Sequence, residues 1–239
     1  MYLLCWVLIF FVKVVILAGG QGKRLRPLTD KVPKPLVEIN GRAIVDYRIS
    51  AFRELGVTSF VILAGYKQDV LVKHFEQGYE WADVAFSFED KPLGTGGAIK
   101  SVEKQIGGED FVVINGDIMT DLDFAPMLEN NTGLVGKIAL VPLRSPYGIV
   151  NTDETRVVGF EEKPLLEGIW INAGVYWFAN AIFDYLPEAG EIEKTAFPEL
   201  AMEKQLGFYK FGLGTGFWRS IDTLKDYEEV EKLLKQRRE

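Results

Sequence analysis

Two residue types that often build protein sites are almost missing from this chain. Its 239 residues include one cysteine, Cys5, and one histidine, His74. This scarcity excludes an internal disulfide framework and a Cys/His zinc site. A bound metal would need carboxylate ligands, which favours Mg²⁺, with Mn²⁺ as the alternative. Low cysteine content also agrees with a reducing compartment, so we expect a cytoplasmic protein.

A general surplus of positive charge is absent as well. The net charge is −7 and the isoelectric point is about 5.0. A protein that neutralises many nucleic-acid phosphates usually has a basic face. Here five cations lie within residues 17–36, a segment in which Asp30 is the one acid. This local concentration predicts a small anionic ligand and no nucleic-acid partner.

Long apolar runs are missing except at the N-terminus, where MYLLCWVLIFFV continues into KVVILAGG. The run would suit a signal or membrane segment, but Lys13 interrupts it and it has no basic start or small-residue cleavage site. It also merges with the first predicted strand. We expect residues 1–11 to be an apolar extension from an upstream start codon, with Val12 as the natural start. An added strand or flap and a membrane anchor are the alternatives, and the membrane is the least expected.

Apolar runs and amphipathic stretches alternate along the rest of the chain. Strands are predicted at residues 13–18, 57–64, 83–88, 110–115, 134–141, 148–151, 156–161 and 170–178. Helices are predicted at 42–55, 67–76, 95–105, 123–130, 193–205 and 223–238. The alternation predicts an α/β fold with a doubly wound, Rossmann-like mixed sheet flanked by helices. No hexapeptide repeat is present, so no C-terminal β-helix is expected.

A glycine-rich segment, LAGGQGKRLRPLTDKVPKPL, follows the first predicted strand. Turns at this place are where α/β proteins bind phosphates. Gly19, Gly20 and Gly22 leave backbone N–H groups open to phosphate oxygens. Arg24 adds a forked, permanently charged donor, and the prolines on both sides of Lys34 stiffen its loop. The segment therefore predicts a phosphate-binding loop.

Two common phosphate motifs do not fit this loop. Walker A requires a glycine where Leu17 stands and a serine or threonine where Arg24 stands. The dinucleotide fingerprint requires a glycine where Leu25 stands. The pattern that remains is G-G-x-G-x-R-L-x-P-L-T-x-x-x-P-K-P.

That pattern and the motifs after it resemble the sugar-1-phosphate nucleotidyltransferases, or NDP-sugar pyrophosphorylases. The likeness covers residues 13–235, through LAGGQGKRLRPLT, PKPL, PLGTGGA, NGD, YGIV, FEEKP and NAGVY. It implies the nucleotidyltransferase fold, which is similar to that of the GT-A glycosyltransferases. It also implies the family's reaction, in which a sugar 1-phosphate oxygen attacks the α-phosphorus of an NTP and pyrophosphate leaves.

The resemblance implies a role for each matching residue. The catalytic set would be Arg24 and Lys34 on the phosphates, Asp117 on Mg²⁺, and Lys163 on the phosphate of the sugar 1-phosphate. The nucleotide would contact Leu17, Ala18, Gly19, Gly20, Gly22, Lys23, Arg24, Glu89, Pro92, Gly94 and Thr95. The sugar phosphate would contact Gly148, Glu162, Lys163 and Asn172. Asp117 also follows a predicted buried strand, and ligands of α/β proteins bind at such strand ends.

The second metal ligand is where this sequence departs from many relatives, which have an aspartate two residues after a tryptophan. Ser220 stands at that place after Trp218, and Asp222 follows two residues later. The segment GFWRSIDTLKDY resembles the ending of cytidylyltransferases for glucose 1-phosphate. We predict Asp222 as the ligand, because a hard dication prefers a charged oxygen. The alternative is that Asp222 caps the last helix.

The base should be read by the loop that begins at Glu89. A carboxylate accepts hydrogen bonds only, which suits the paired N–H donors of guanine. The segment EDKPLGTGGAIK also resembles the loop of guanylyltransferases for mannose or heptose 1-phosphate. We therefore expect GTP with mannose 1-phosphate or a related hexose or heptose 1-phosphate. Thymidylyl, uridylyl and cytidylyl transfer to glucose 1-phosphate stay open as alternatives.

Two rival functions and the chain's organisation complete the expectations. A GT-A glycosyltransferase would use a D-x-D motif, which Asp121 and Asp123 offer, although these acids more simply cap the predicted helix at 123–130. A non-catalytic sugar-nucleotide regulator would be expected to lack catalytic residues that are present here. We expect one domain over residues 12–239, with a nucleotide-binding half up to about 130 and a sugar-phosphate-binding half beyond it. Both substrates are small molecules, and a homo-oligomer is compatible with the sequence.

Overall fold

The computed structural model describes residues 12–212 and 216–237, which form a sheet with helices on its faces. The strands are β1 (Lys13–Ala18), β2 (Glu38–Ile39), β3 (Arg42–Ala43), β4 (Ser59–Ala64), β5 (Asp83–Phe88), β6 (Phe111–Asn115), β7 (Ile118–Thr120), β8 (Gly136–Arg144), β9 (Ile149–Asp153), β10 (Arg156–Glu161), β11 (Leu165–Phe178), β12 (Leu206–Lys210) and β13 (Trp218–Ser220). The α-helices are α1 (Ile44–Glu54), α2 (Gln68–Phe75), α3 (Gly94–Lys100), α4 (Glu103–Ile106), α5 (Ala196–Met202) and α6 (Leu224–Gln236).

Seven strands form the central sheet in the order β12–β8–β11–β6–β1–β4–β5. β1 is parallel to β4 and β6, β4 is parallel to β5, and β8 is parallel to β12. β11 is antiparallel to both β6 and β8. The sheet therefore joins strands from both predicted halves of the chain, and the predicted mixed α/β fold is confirmed.

The central strands are buried on both faces. Along β1, Val14 and Ile16 belong to one hydrophobic cluster, and Val15 belongs to another. Successive side chains of a strand point to opposite faces, so these two clusters are the two layers of core that sandwich the sheet. A near-continuous apolar run is what such a strand requires.

The hairpin of β9 and β10 is built differently from this core. The two strands pair with each other in a separate two-stranded sheet. None of their residues is fully buried, and Val157, Val158 and Phe160 are 63–65% exposed. The hairpin therefore projects from the central sheet instead of contributing to its core.

Several predicted helices are shorter than expected. The helix predicted at 123–130 is a 3-10 turn, Ala125–Leu128, and the one at 95–105 divides into α3 and α4. The helix predicted at 193–205 becomes the 3-10 turn Ile192–Lys194 followed by α5. Thr195 between them has φ −121° and ψ −90°, which a continuous helix cannot contain.

The predictions for residues 1–11 lie outside the described residues. Within the described ranges, the helices are all too short or too polar to cross a membrane.

Candidate functional site

A cleft of about 700 Å³ opens where the parallel strands end. Leu17 and Ala18 close β1, and Asn115 closes β6, all three at this edge of the sheet. Gly65 and Tyr66 follow β4 directly, and Glu89 follows β5. The carboxyl ends of four parallel strands thus place these residues around one cavity, the usual ligand position in such sheets.

Most residues predicted for the nucleotide line this cleft. They are Leu17, Ala18, Gly19, Gly20, Lys23, Glu89, Pro92, Gly94 and Thr95, together with the predicted catalytic residues Lys34 and Asp117. Gly22 and Arg24 are not among the lining residues. Sequence reasoning missed several lining residues, including Gln21, Pro35, Tyr66, Asp90, Lys91 and Asn115. Tyr66 could have been found, because it directly follows a buried strand as the predicted ligands do.

The glycines of the loop serve different purposes. Gly22 has φ +59°, and a Cβ there would lie 2.9 Å from Cγ2 of Thr29, so the fold itself requires glycine. A Cβ at Gly20 would meet no atom of the described residues within 4 Å. Since Gly20 also lines the cleft, the space in front of it is available to a ligand.

An ionic cluster centred on Lys34 adjoins the cleft, which Lys34 and Asp117 line. Its Nζ is 2.6 Å from Oδ2 of Asp117 and 2.9 Å from Oδ1 of Asp222. Nη2 of Arg24 donates to the same Asp222 oxygen at 2.9 Å. The structure therefore brings together three predicted catalytic residues, Arg24, Lys34 and Asp117, and both predicted metal ligands, Asp117 and Asp222. Arg24 and Asp222 are 198 positions apart in the chain.

Short strands explain this convergence. β13 pairs with β7, so Ser220 lies opposite Ile118, and the N–H of Ile221 donates to the carbonyl of Asp117 at 2.9 Å. The indole N–H of Trp218 donates to the carbonyl of Ala173 in β11 at 2.9 Å. The segment that carries Asp222 is thereby fixed both to the end of β6 and to the strand that carries Asn172.

The capping alternative for Asp222 is wrong. Thr223 is the N-cap of α6 and forms a capping box with Asp226. The Asp222 carboxylate instead faces Lys34 and Arg24 and accepts a hydrogen bond from Oγ of Ser220 at 2.8 Å. Burial alone would raise its pKa, but the hydrogen bond and charge of Lys34, aided by Ser220 and Arg24, hold that pKa below its ordinary value of 3.8.

Glu89 is another acidic residue that lines the cleft. Burial raises the pKa of its carboxyl above the ordinary value, although the backbone N–H of Leu93 opposes this shift with a hydrogen bond of 3.4 Å. A Cβ at Gly19 would lie 3.5 Å from the Glu89 carboxylate. The Glu89 carboxylate therefore lies beside the predicted phosphate-binding loop.

The residues predicted for the sugar phosphate lie outside the lining of this cleft. Nζ of Lys163 is 3.3 Å from Oε1 of Glu162, and a Cβ at Gly148 would lie 3.0 Å from Oε2 of the same side chain. These three residues are thus neighbours. Asn172 lies on β11, where its amide oxygen accepts from the N–H of Gly174 at 2.8 Å and its amide nitrogen donates to the hydroxyl of Tyr176 at 2.9 Å.

The D-x-D aspartates have structural partners. Asp123 accepts from the N–H of Ala125 at 2.9 Å, but the N-cap of the 3-10 turn is Phe124, which makes no side-chain cap hydrogen bond, so the predicted capping by Asp123 is wrong. Asp121 does not cap it; its carboxylate accepts from the N–H of Phe217 at 2.6 Å and pairs with Arg237. Neither carboxylate lines the cleft.

The ionic cluster fits a cation. The Lys34 ammonium already stands as a positive charge within 2.9 Å of an oxygen from each of Asp117 and Asp222. Within residues 12–212 and 216–237, no group of three or more acidic, histidine or cysteine side chains could hold a metal. In many Mg²⁺ sites the protein supplies only one or two carboxylates, and waters and substrate phosphates complete the coordination.

Comparison with known proteins finds similar sequences among named enzymes. The chain is 36% identical over 229 residues to the mannose-1-phosphate guanyltransferase of Candida albicans, a match that covers 90% of this chain and 62% of that protein. It is 32% identical to the D-glycero-alpha-D-manno-heptose 1-phosphate guanylyltransferase of Aneurinibacillus thermoaerophilus, covering 93% and 98%. The chain thus spans less than two thirds of its fungal relative and nearly the whole of its bacterial one.

Solved structures show the same fold. The crystal structure of HddC from Yersinia pseudotuberculosis superimposes with a TM-score of 0.73 at 28% identity, covering 93% of this chain and 99% of that one. The family model described as nucleotidyl transferase matches residues 13–237. The chain therefore belongs to the nucleotidyl transferase family, among the sugar-1-phosphate nucleotidyltransferases.

Proposed function

We propose that this protein transfers a guanylyl group from GTP to mannose 1-phosphate or a related hexose or heptose 1-phosphate, giving a GDP-sugar and pyrophosphate. The observation that carries the proposal is the cleft at the strand ends, which is bounded by the glycine loop, by Glu89 and by the Lys34 cluster. The likeness to enzymes named as guanylyltransferases for these two sugar classes supports it. Low cysteine content supports a cytoplasmic location.

The phosphate side would work through positioning and electrostatics. Both substrates are anions, so the site must offset their repulsion and stabilise the charge that develops on the leaving pyrophosphate. The open space before Gly20 suits phosphate oxygens at backbone N–H groups. Arg24, 71% exposed, and Lys34 can supply positive charge to the β- and γ-phosphates.

Nucleotidyltransferases of this family generally use divalent metal ions. We assign Mg²⁺ to Asp117 and Asp222, with Mn²⁺ as a substitute, because both are hard cations that carboxylates and phosphates bind. A cation there would neutralise phosphate charge beside the α-phosphorus.

The sugar phosphate would bind on the other side of the α-phosphorus. Lys163 would hold its phosphate for attack, and Glu162 would accept hydrogen bonds from sugar hydroxyls. Glu162 lies next to both Lys163 and Gly148, which supports one subsite for the sugar phosphate. Asn172, which Tyr176 and Gly174 fix in orientation, would contact the sugar from β11.

Glu89 would select the base. Its carboxylate lies in the cleft, where burial raises its pKa and a hydrogen bond from the backbone N–H of Leu93 offsets that shift only in part, so further donors would stabilise the charge. The two N–H donors on one edge of guanine would supply that stabilisation, whereas uracil and thymine offer one N–H beside carbonyl oxygens. A crystal structure of HddC from Yersinia pseudotuberculosis is a complex with GMP-PN, which supports a guanine nucleotide here.

A pyrophosphate-release assay tests this proposal. The four candidate nucleotides, GTP, CTP, UTP and dTTP, should each be combined with mannose, glucose and heptose 1-phosphates. Release with GTP and a manno-configured sugar is the expected result. If pyrophosphate release were highest with CTP and glucose 1-phosphate, the result would instead support cytidylyl transfer. The segment GFWRSIDTLKDY favours that alternative. Release of a nucleoside diphosphate from a sugar nucleotide would replace the proposal with glycosyl transfer.

A further inference from the structure

The Lys34 ammonium stands where a bridging dication would stand. Its Nζ contacts one carboxylate oxygen of Asp117 and one of Asp222, at 2.6 and 2.9 Å, and 12% of the side chain is exposed. Mg²⁺ binds carboxylate oxygens at about 2.0–2.1 Å. The ammonium and a dication would therefore compete for the same two oxygens and for the same space between them.

Charge balance adds to this competition. Arg24 and Lys34 carry one positive charge each, and Asp117 and Asp222 one negative charge each, so the cluster is neutral as it stands. Entry of a dication beside an unmoved ammonium would bring like charges close together in a partly buried place, which is unfavourable. A triphosphate would change the balance, because its negative charges offer Lys34 another partner in the cleft.

We propose that Lys34 is a resident cation that blocks the two metal ligands until a nucleotide triphosphate draws its ammonium away. This inference rests on the proposed function, since it concerns the same site. The metal then binds when the phosphates that complete its coordination are present, and the free enzyme holds a dication weakly. Lys34 is a positioning residue toward the metal and a phosphate ligand afterwards.

The local structure allows the ammonium to move without the backbone. Lys34 begins the 3-10 turn Lys34–Leu36, with Pro33 before it and Pro35 within it, and prolines restrict backbone motion. Its side chain lines the cleft together with Gly19 and Gly20. Rotation of the flexible four-carbon stem is therefore enough to carry Nζ from the carboxylates toward phosphates in the cleft.

Mn²⁺ binding to the nucleotide-free protein tests the proposal. The loss of the free Mn²⁺ signal in electron paramagnetic resonance should be titrated for the wild type, for Lys34→Met and for Lys31→Met, an exposed lysine of the same loop. We expect Lys34→Met to bind Mn²⁺ about tenfold more tightly than the wild type, a typical size for coupling between two binding events. Lys31→Met should match the wild type. Adding Asp222→Asn to Lys34→Met should remove the gain.

Thermal unfolding of the same variants gives a second readout. Without metal, Lys34→Met should unfold at a lower temperature, because two partly buried carboxylates face each other with less compensation. Mn²⁺ should restore much of that loss in Lys34→Met and change the wild type little. Equal or weaker Mn²⁺ binding by Lys34→Met, or no recovery by Mn²⁺, would overturn the proposal.

These results are independent of turnover. If Lys34→Met gains Mn²⁺ affinity while the wild type releases no pyrophosphate with any substrate pair, the proposed function fails and the competition stands. If the wild type releases pyrophosphate and the variant gains no affinity, the competition alone is refuted.

Discussion

Many residues predicted for the nucleotide stand at the ends of buried strands, whereas Gly148, Glu162 and Lys163, predicted for the sugar phosphate, stand beside an exposed hairpin. Lys34, which lines the cleft, is 12% exposed and makes two ion pairs with residues distant in sequence. Lys163 is 41% exposed and pairs with its own neighbour, Glu162. The comparison teaches that the cleft is built by the core, whereas the proposed sugar-phosphate subsite depends on a local motif at the surface.

The largest expected effect comes from a substitution in the ionic cluster beside the cleft. Asp222→Asn removes the charge of a proposed metal ligand, and we expect kcat/KM to fall on the order of 1,000-fold, the upper range for removing one positioned group. Ser220→Ala is the matched control, since it removes only a hydrogen bond to Asp222, and its effect should stay within about tenfold. Steady-state pyrophosphate release measures both. The reverse ranking would mean that Ser220 marks the ligand position.

Lys163→Ala should affect use of the sugar phosphate and leave nucleotide binding unchanged. Loss of the positioned ammonium should reduce transition-state binding by about 2–4 kcal/mol, which is about 30- to 1,000-fold in kcat/KM for the sugar phosphate. Nucleotide affinity, measured by calorimetry, should be unchanged. Lys204→Ala is a matched control, because Lys204 is another exposed lysine with left-handed backbone, φ +59° against +49° at Lys163. If both variants lose activity alike, the effect comes from the backbone and not from the charge.

Substitutions at two glycines of the loop distinguish a glycine that leaves room for the ligand from one that the backbone conformation requires. Gly20→Ala places a methyl group in open cleft, so we expect the KM for the nucleotide to rise about tenfold, or 1.4 kcal/mol, with the melting temperature nearly constant. Gly22→Ala should lower stability by about 1–2 kcal/mol, because its left-handed backbone disfavours a Cβ. Chemical denaturation and nucleotide titration distinguish them. A stable Gly20→Ala variant with normal KM would place the triphosphate elsewhere.

The smallest expected effect is a gain in stability with Glu89→Gln. Burial raises the pKa of Glu89 in the folded state, so ionisation above its ordinary value of 4.5 opposes folding. That penalty is absent below this value and develops as pH rises through it. The variant should therefore melt at a slightly higher temperature than the wild type at pH 7.5, and the difference should vanish near pH 4. In the pyrophosphate assay the same variant should lose preference for GTP; unchanged preference would remove Glu89 from base selection.

Sequence patterns predicted the sheet well because its central strands are continuous apolar runs. The bounds of β1 and β5 match the prediction, and β4 and β6 begin within two residues of it. Short strands such as β7 and β13 escaped notice, since three residues carry no periodicity and exist only through their pairing. The overlong helix predicted at 193–205 failed at Thr195, whose conformation depends on tertiary contacts.

The cleft residues could be predicted because their motifs are local and their order along the strand ends is fixed by topology. The joining of Lys34 with Asp117 and Asp222 could not be predicted from the residues themselves. Asp117 and Asp222 are 83 and 188 positions from Lys34, and the β7–β13 pairing helps to bring the two aspartates to one ammonium. The choice between metal ligand and helix cap for Asp222 was open for the same reason, until Thr223 proved to be the cap.

The β9–β10 hairpin has a consequence for how such a protein can diversify. Its strands contribute no fully buried side chain, so most substitutions there should leave folding intact. If the Glu162–Lys163 turn binds the sugar phosphate as we propose, a lineage could alter which sugar it accepts through changes in the hairpin and in this turn. The strand ends that we assign to the nucleotide chemistry would stay untouched, and new substrate ranges would be accessible by drift on the surface.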